Sequence, residues 1–361
     1  MYPTKSGPHC EGESSICIPP ERSDSLNSRA TAVRLSKQFA ARNADDTRRS
    51  VQQLLTTLLP FVALLAVMAA VMEKMYWLSL LLAIPTAGLL VRLFIFQHDC
   101  GHGSFFRTRV SNDLLGRFLS IFTLTPYDYW KRSHAMHHAT SGNLDKRGAG
   151  DVPTITVNEY LALSPINRLG YRLFRNPIVM ILIGAPVNFI VLQRLPLSRA
   201  FRDPGSLRSI MGLNLMLLVV FGSAMAFWGV APVLAVYLPV ITIGACIGGW
   251  LFYIQHQFED TYWSRDNDWN FHEAAISGSS YFELPPVLQW FTGNIGLHHI
   301  HHLCSRIPNH RLQECVDANP ELHVMAKRIT LLESLKCWRL SLWDEEKGLL
   351  VGFRDIQPRR R

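Results

Sequence analysis

The chain has 361 residues, of which 48% are apolar, 11% aromatic and only 18% charged, with a formal net charge of +8. Several windows of about twenty residues, the length a helix needs to cross a bilayer, hold almost no charge, which argues against two soluble domains and for one membrane-embedded domain with polar flanks. Nor does the positive charge point to nucleic acid, because most Lys and Arg flank the apolar stretches and no aromatic-basic interleaving suggests a single-strand groove.

Residues 1–50 are rich in Ser, Pro, Arg and Asp and lack an apolar segment after a basic start, so no secretory leader is expected. Residues 1–30 read as disordered and 31–50 as a polar, helical lead-in. The first apolar run is "LLTTLLPFVALLAVMAAVM" (54–72), and five residues, "EKMYW", separate it from "LSLLLAIPTAGLLVRLFIF" (78–96). This pattern predicts a transmembrane hairpin in which Pro60 and Pro85 are tolerated and Arg92 snorkels to the headgroups. A third run (209–228) and a fourth (233–254), joined by "GVAP", predict a second hairpin. The shorter stretch 177–193 contains Pro186 and Asn188, and is expected to be re-entrant or interfacial. The expected fold is an all-α integral membrane protein with four transmembrane helices in two hairpins and a helical cap on the cytoplasmic side. Its domain spans 51–320, between the N-terminal segment and a cytoplasmic tail, 321–361.

Orientation follows from the basic residues. The two hairpin tips carry Lys74 and no other Lys or Arg, whereas Arg42, Arg48, Arg49, Arg107, Arg109, Arg117, Lys131, Arg132 and the terminal "PRRR" fall on the opposite side. That side reads as cytoplasmic, with both termini on it. The seven cysteines are odd in number and include no C-x-x-C, which speaks against a disulfide framework or zinc ribbon. Cys100 and Cys304 lie beside histidines and are open to ligation, although small reduced core residues are the preferred reading.

Three histidine clusters fall on this cytoplasmic side: His98 and His102 in "HDCGH", His134, His137 and His138 in "HAMHH", and His298, His301 and His302 in "GLHHIHHLC". Positions i, i+3 and i+4 share a helix face, so each cluster can converge on one point. His299 points about 100° away from His298 and is left out of the ligand set. His256, in "FYIQHQFED", stands at the same depth just past the fourth run and joins the set. Eight or nine imidazoles are too many for one metal and suit two with four or five ligands each, while imidazole alone does not choose among iron, zinc and copper.

These residues resemble the membrane fatty acid desaturases, which carry three histidine boxes, H-x(3–4)-H, H-x-x-H-H and H-x-x-H-H, beside two helical hairpins. The resemblance covers about residues 50–320, and "HDCGHGSFF", "TSGNLDKRGAGD" and "TGNIGLHHIHHLCSRIPNHRL" look like the acyl-lipid Δ12, or omega-6, branch. The chain departs from that branch at Ala135, where Asn is frequent, and at His310, where Tyr is expected. The resemblance implies two irons held by His98, His102, His134, His137, His138, His298, His301 and His302, with His256 as the further ligand. It also implies O2 as co-substrate, a lipid acyl chain as substrate and a cis double bond as product. Asp99, Asp145 and Asp151 are candidates to orient ligands, or ordinary loop carboxylates. With no H-P-G-G haem motif and no G-x-G-x-x-G fingerprint, an external ferredoxin or cytochrome b5-like donor is implied. A related di-iron hydroxylase, acetylenase or carotenoid oxygenase is the alternative. A metal transporter is disfavoured because Arg92 is the sole charge within the four runs. The aromatic residues of "DYW" (128–130) and "TYW" (261–263), with Trp290, are expected to be interface anchors.

Overall fold

An apolar run surrounded by lipid can satisfy its backbone only by closing its own hydrogen bonds, so each of the four runs has to become a helix. The computed structural model describes residues 20–41, 46–148, 150–195 and 203–356. After α1 (Pro20–Ala41), helices α2 (Thr47–Val71) and α3 (Tyr76–His102) form the first hairpin. The Asp46 side chain caps α2 by accepting from the Arg49 amide. Then come α4 (Arg109–Thr123), α5 (Tyr127–Thr140), β1 (Ile155–Thr156), α6 (Val157–Ala162), α7 (Pro165–Phe174), α8 (Ala185–Ile190) and the second hairpin, α9 (Pro204–Trp228) with α10 (Val230–His256). Gly229, φ 92°, makes the turn between α9 and α10 alone, in a backbone region that side chains avoid. Among the described residues, the helices α2, α3, α9 and α10 are each long and apolar enough to span a membrane. The chain is an integral membrane protein.

The cap is built from short pieces: α11 (Phe271–Ser277), β2 (Tyr281–Glu283), α12 (Pro286–Phe291), α13 (His298–Leu303), α14 (Leu312–Asp317), α15 (Leu322–Met325), β3 (Arg328–Thr330), α16 (Leu331–Cys337), β4 (Leu342–Asp344) and β5 (Leu349–Val351). Two features outgrow the expected helical cap. β2 and β3 pair in parallel, and β1, β4 and β5 form a small three-stranded sheet. Residues 321–356, expected as a tail, are therefore stitched into the body of the protein. Residues 20–30, expected to be disordered, belong to α1, and Ala32, Leu35 and Phe39 of that helix are buried against Ala275, Leu297 and Ile300. Residues 1–19 lie outside the described residues.

The stretch 177–193 is not a straight helix. Ile178–Gly184 is π-helical, and the pair Pro165–Phe174 and Ile178–Arg194 is bent by 64°. Arg92 corrects another expectation, because it is buried and does not snorkel. Its Nε donates to Thr57 Oγ1 at 3.2 Å, its Nη2 to Gln53 Oε1 at 2.8 Å and its Nη1 to the Trp290 carbonyl. The guanidinium also lies over the Trp290 ring, 4.3 Å from its centroid. Partners on α2 and α12 satisfy every arm of the fork, which hydrocarbon cannot do.

α4 and α5 meet through Gly116, where a Cβ would stand 2.2 Å from the Tyr127 ring. Tyr127 is buried, its hydroxyl 2.8 Å from both Asp113 Oδ1 and the Cys100 carbonyl, so it has nowhere to retreat. Gly116→Ala is expected to destabilise the protein by about 1–3 kcal/mol through overpacking, seen as a lowered thermal midpoint in detergent.

Candidate metal centre

Box one lies on the last two turns of α3, not after it. Gly103, at φ 70°, then ends the helix in the left-handed conformation. Box two is on α5, box three is α13, and His256 is the last residue of α10. All nine predicted histidines come together, in two adjacent groups. His98, His102, His134, His138 and His301 form one group, and His137, His256, His298 and His302 the other; within each, the candidate ligand atoms lie within 4.8 Å of one another. The groups touch where the His138 and His302 rings stack, 4.1 Å between centroids.

The expectation that each H-x-x-H-H box converges on one point is corrected here. Residues i and i+4 differ by about 40° around a helix, whereas i+3 and i+4 differ by about 100°. The pairs His98 with His102, His134 with His138 and His298 with His302 each stay within one group, while His137 and His301 cross to the other. Boxes two and three thus stitch the two groups together.

The donor chemistry fits metal. His137 Nδ1 lies 2.5 Å from Asp151 Oδ1, and His256 Nδ1 donates to the Gly278 carbonyl at 2.9 Å. With Nδ1 carrying the proton, both Nε2 atoms present bare lone pairs, yet they face each other at 3.1 Å. His298 Nε2 stands 3.0 Å from His256 Nε2, and His138 Nε2 lies 3.1 Å from His134 Nε2 and 3.0 Å from His301 Nε2. A metal–imidazole bond of about 2.1 Å spaces neighbouring ligand nitrogens by about 3.0–3.4 Å, which is this spacing. Without a shared cation the lone-pair contact between His137 and His256 repels. The Nε2 atoms of His102 and His302 are buried with no hydrogen-bond partner. Burial first, then the neighbouring imidazoles, push His134, His138, His298, His301 and His302 well below the ordinary histidine range. They are neutral at pH 7, the form that ligates.

The sequence model of the family described as "Fatty acid desaturase" matches residues 75–328, which include every one of these histidines. The chain belongs to the fatty acid desaturase family. It is 41% identical over 327 residues to a fatty acid desaturase of Bacillus subtilis, covering 90% of this chain and 91% of that one. In Synechocystis it is 28% identical to an sn-1 acyl-lipid omega-3 desaturase (ferredoxin), over 63% of each chain. It is also 26% identical to an sn-1 oleoyl-lipid 12-desaturase of that organism, over 63% of this chain and 64% of the relative. As a fatty acid desaturase, the chain is an oxidoreductase.

Among the acidic candidates of this desaturase the structure discriminates. Asp151 holds His137. Asp99 Oδ1 lies 3.2 Å from His98 Nδ1, and its Oδ2 accepts from the Asn309 amide and side chain, both at 2.8 Å. Asp145 is an ordinary loop carboxylate, paired with Arg265 at 2.7 Å. Cys100 and Cys304 join neither histidine group, and neither do His299 and His310. His299 is turned toward Tyr281, and His310 is buried, its pKa lowered to about 4 mainly by desolvation.

The aromatic residues are not simply interface anchors. Trp130 stacks on the His134 ring at 4.6 Å and 16°, and Trp263 packs on Leu144 and Trp343 in the cap. The Trp130 contact was readable in principle, since Trp130 precedes His134 by one i, i+4 step. Asn309 carried no such signal. Its role depends on a carboxylate 210 positions away.

Proposed function

We propose that this desaturase inserts a cis double bond of the Δ12, or omega-6, type into an acyl chain of a membrane lipid, using O2 and two electrons from outside at a di-iron centre. His98, His102, His134, His138 and His301 would hold one iron, and His137, His256, His298 and His302 the other. The observation that carries this reading is the convergence of Nε2 atoms at 3.0–3.1 Å in two adjoining histidine groups. When bound, the irons supply the O2 activation that no side chain can, for the overall change R–CH2–CH2–R′ + O2 + 2 e− + 2 H+ → R–CH=CH–R′ + 2 H2O.

The protein's own residues do the rest. Asp151, the Gly278 carbonyl and Asp99 fix the ring orientations of His137, His256 and His98, keeping each Nε2 free to ligate. Phe252, within 5.5 Å of the His137 and His256 rings, and Trp130, stacked on His134, keep water from the imidazoles. The electron donor is a ferredoxin or cytochrome b5-like protein, a reading supported by the word ferredoxin in the names of relatives. The basic residues of the loops support a cytoplasmic histidine side, where an acidic donor would associate faster at low ionic strength.

The test is expression with a compatible donor in a host that lacks polyunsaturated lipids, fed a monounsaturated acid. Gas chromatography–mass spectrometry is expected to show a new diene with its second bond at the Δ12 position. A bond elsewhere would overturn the regiochemistry alone, and a hydroxylated product would replace desaturation with hydroxylation.

A further inference from the structure

The parallel pair β2 and β3 aligns Glu283 with Thr330, so both strands end at the same level. Each then runs into a short helix: α12, "PVLQWF", begins three residues after Glu283, and α16, "LLESLKC", begins directly after Thr330. The two helices are not ordinary surface elements. Val287, Leu288 and Trp290 of α12 are exposed, as are Leu331, Leu332 and Leu335 of α16, with Leu332 at 77%. An aqueous surface rarely gathers so many large apolar side chains.

Their depth is set by contacts with the spanning helices. The Phe291 ring packs where a Cβ on Gly88 of α3 would stand, and Arg92 of α3 bonds the Trp290 carbonyl. Arg92 lies six residues before His98, about 9 Å toward the bilayer centre at 1.5 Å per residue. On α16, Ser334 and Cys337 are the buried face, and the Tyr253 hydroxyl of α10 lies 3.0 Å from the Cys337 carbonyl and 2.9 Å from that of Leu340. Cys337 shares a cluster with Leu251 and Ile254 at the end of α10, against which Met180 and Ile181 of the bent segment also pack. That segment exposes Ile178, Leu182 and Ile183, so the apolar outer surface of the membrane domain continues into α16.

We propose that α12 and α16 form an apolar shelf seated in the bilayer leaflet on the histidine side, its exposed side chains covered by phospholipid acyl chains. α16 is then an in-plane membrane element, although it lies beyond the apolar runs. Lys336 and Arg339, both exposed, flank its apolar residues and are long enough to reach headgroup phosphates. The placement depends on the membrane spans alone and stands whatever the substrate.

The experiment places the photoreactive residue p-benzoylphenylalanine at Leu332 in the full chain, reconstituted in phosphatidylcholine nanodiscs, and measures lipid adducts by mass spectrometry after irradiation. Leu218, exposed at 70% on α9, is the lipid-facing control, and Lys347, on the turn between β4 and β5, is the aqueous control. The proposal expects lipid adducts at position 332 close to the yield at 218 and several-fold above that at 347. A yield at 332 no higher than at 347, while 218 labels, overturns it. So does a predominant adduct to a second copy of the chain. Because Leu332 is exposed, the substitution leaves packing intact, and an unchanged thermal midpoint confirms a folded chain.

Discussion

His138→Ala is expected to leave a folded membrane protein with no detectable desaturation and no more than one of the two irons proposed for it. Among the described residues no other histidine is so placed between the groups: its Nε2 lies 3.1 Å from His134 and 3.0 Å from His301, while its ring stacks at 4.1 Å on His302. Removing it deprives the five-histidine group of a donor and leaves the Nε2 atoms of His134 and His301 without their shared neighbour. It also removes the ring that stacks across the two groups, so the loss should exceed that from His102→Ala, whose ring contacts are with its own group. Iron per chain by elemental analysis and diene by gas chromatography–mass spectrometry are the readouts. A His138→Ala chain that keeps two irons would remove that residue from the ligand set. Loss of iron without loss of the thermal midpoint would separate ligation from folding.

What the sequence made legible were features with a local period. Four apolar runs of spanning length had to be helices, and the i, i+3, i+4 spacing of boxes two and three had to place their histidines on one side of a helix. His256 could be added because a span fixes depth as well as direction. The division of the nine into five and four was not legible, because it depends on how α3, α5, α10 and α13 are rotated about their axes, which no single segment encodes. Arg92 shows the same limit from the other side. Its helix announces a charge in lipid, but the partners that bury it, Gln53, Thr57 and the Trp290 carbonyl, come from α2 and α12. The strands β1 to β5 are two or three residues long and, apart from the β4–β5 hairpin, pair across wide sequence gaps, leaving no alternation to read.

The carboxylates give the second large effect. Asp145 and Asp151 lie six residues apart in one loop, and residue type alone could not rank them. Asp151 is nearly buried, with one oxygen on His137 Nδ1, whereas Asp145 is half exposed and spends its charge on Arg265. Asp151→Asn keeps the shape of the side chain and can still accept from Nδ1, but it removes the negative charge that makes His137 a stronger donor. Partners of this kind are worth about 10–100-fold in metal affinity or activity. Asp151→Asn should therefore lose iron to a chelator at about 10–100-fold lower chelator concentration, with the loss confined to one iron per chain, since His137 serves the four-histidine group. Asp145→Asn should titrate like the unaltered protein. If Asp151→Asn held both irons as tightly as Asp145→Asn, the 2.5 Å contact would be a packing feature only, and His137 would have to be oriented by its ring neighbours His256 and His302.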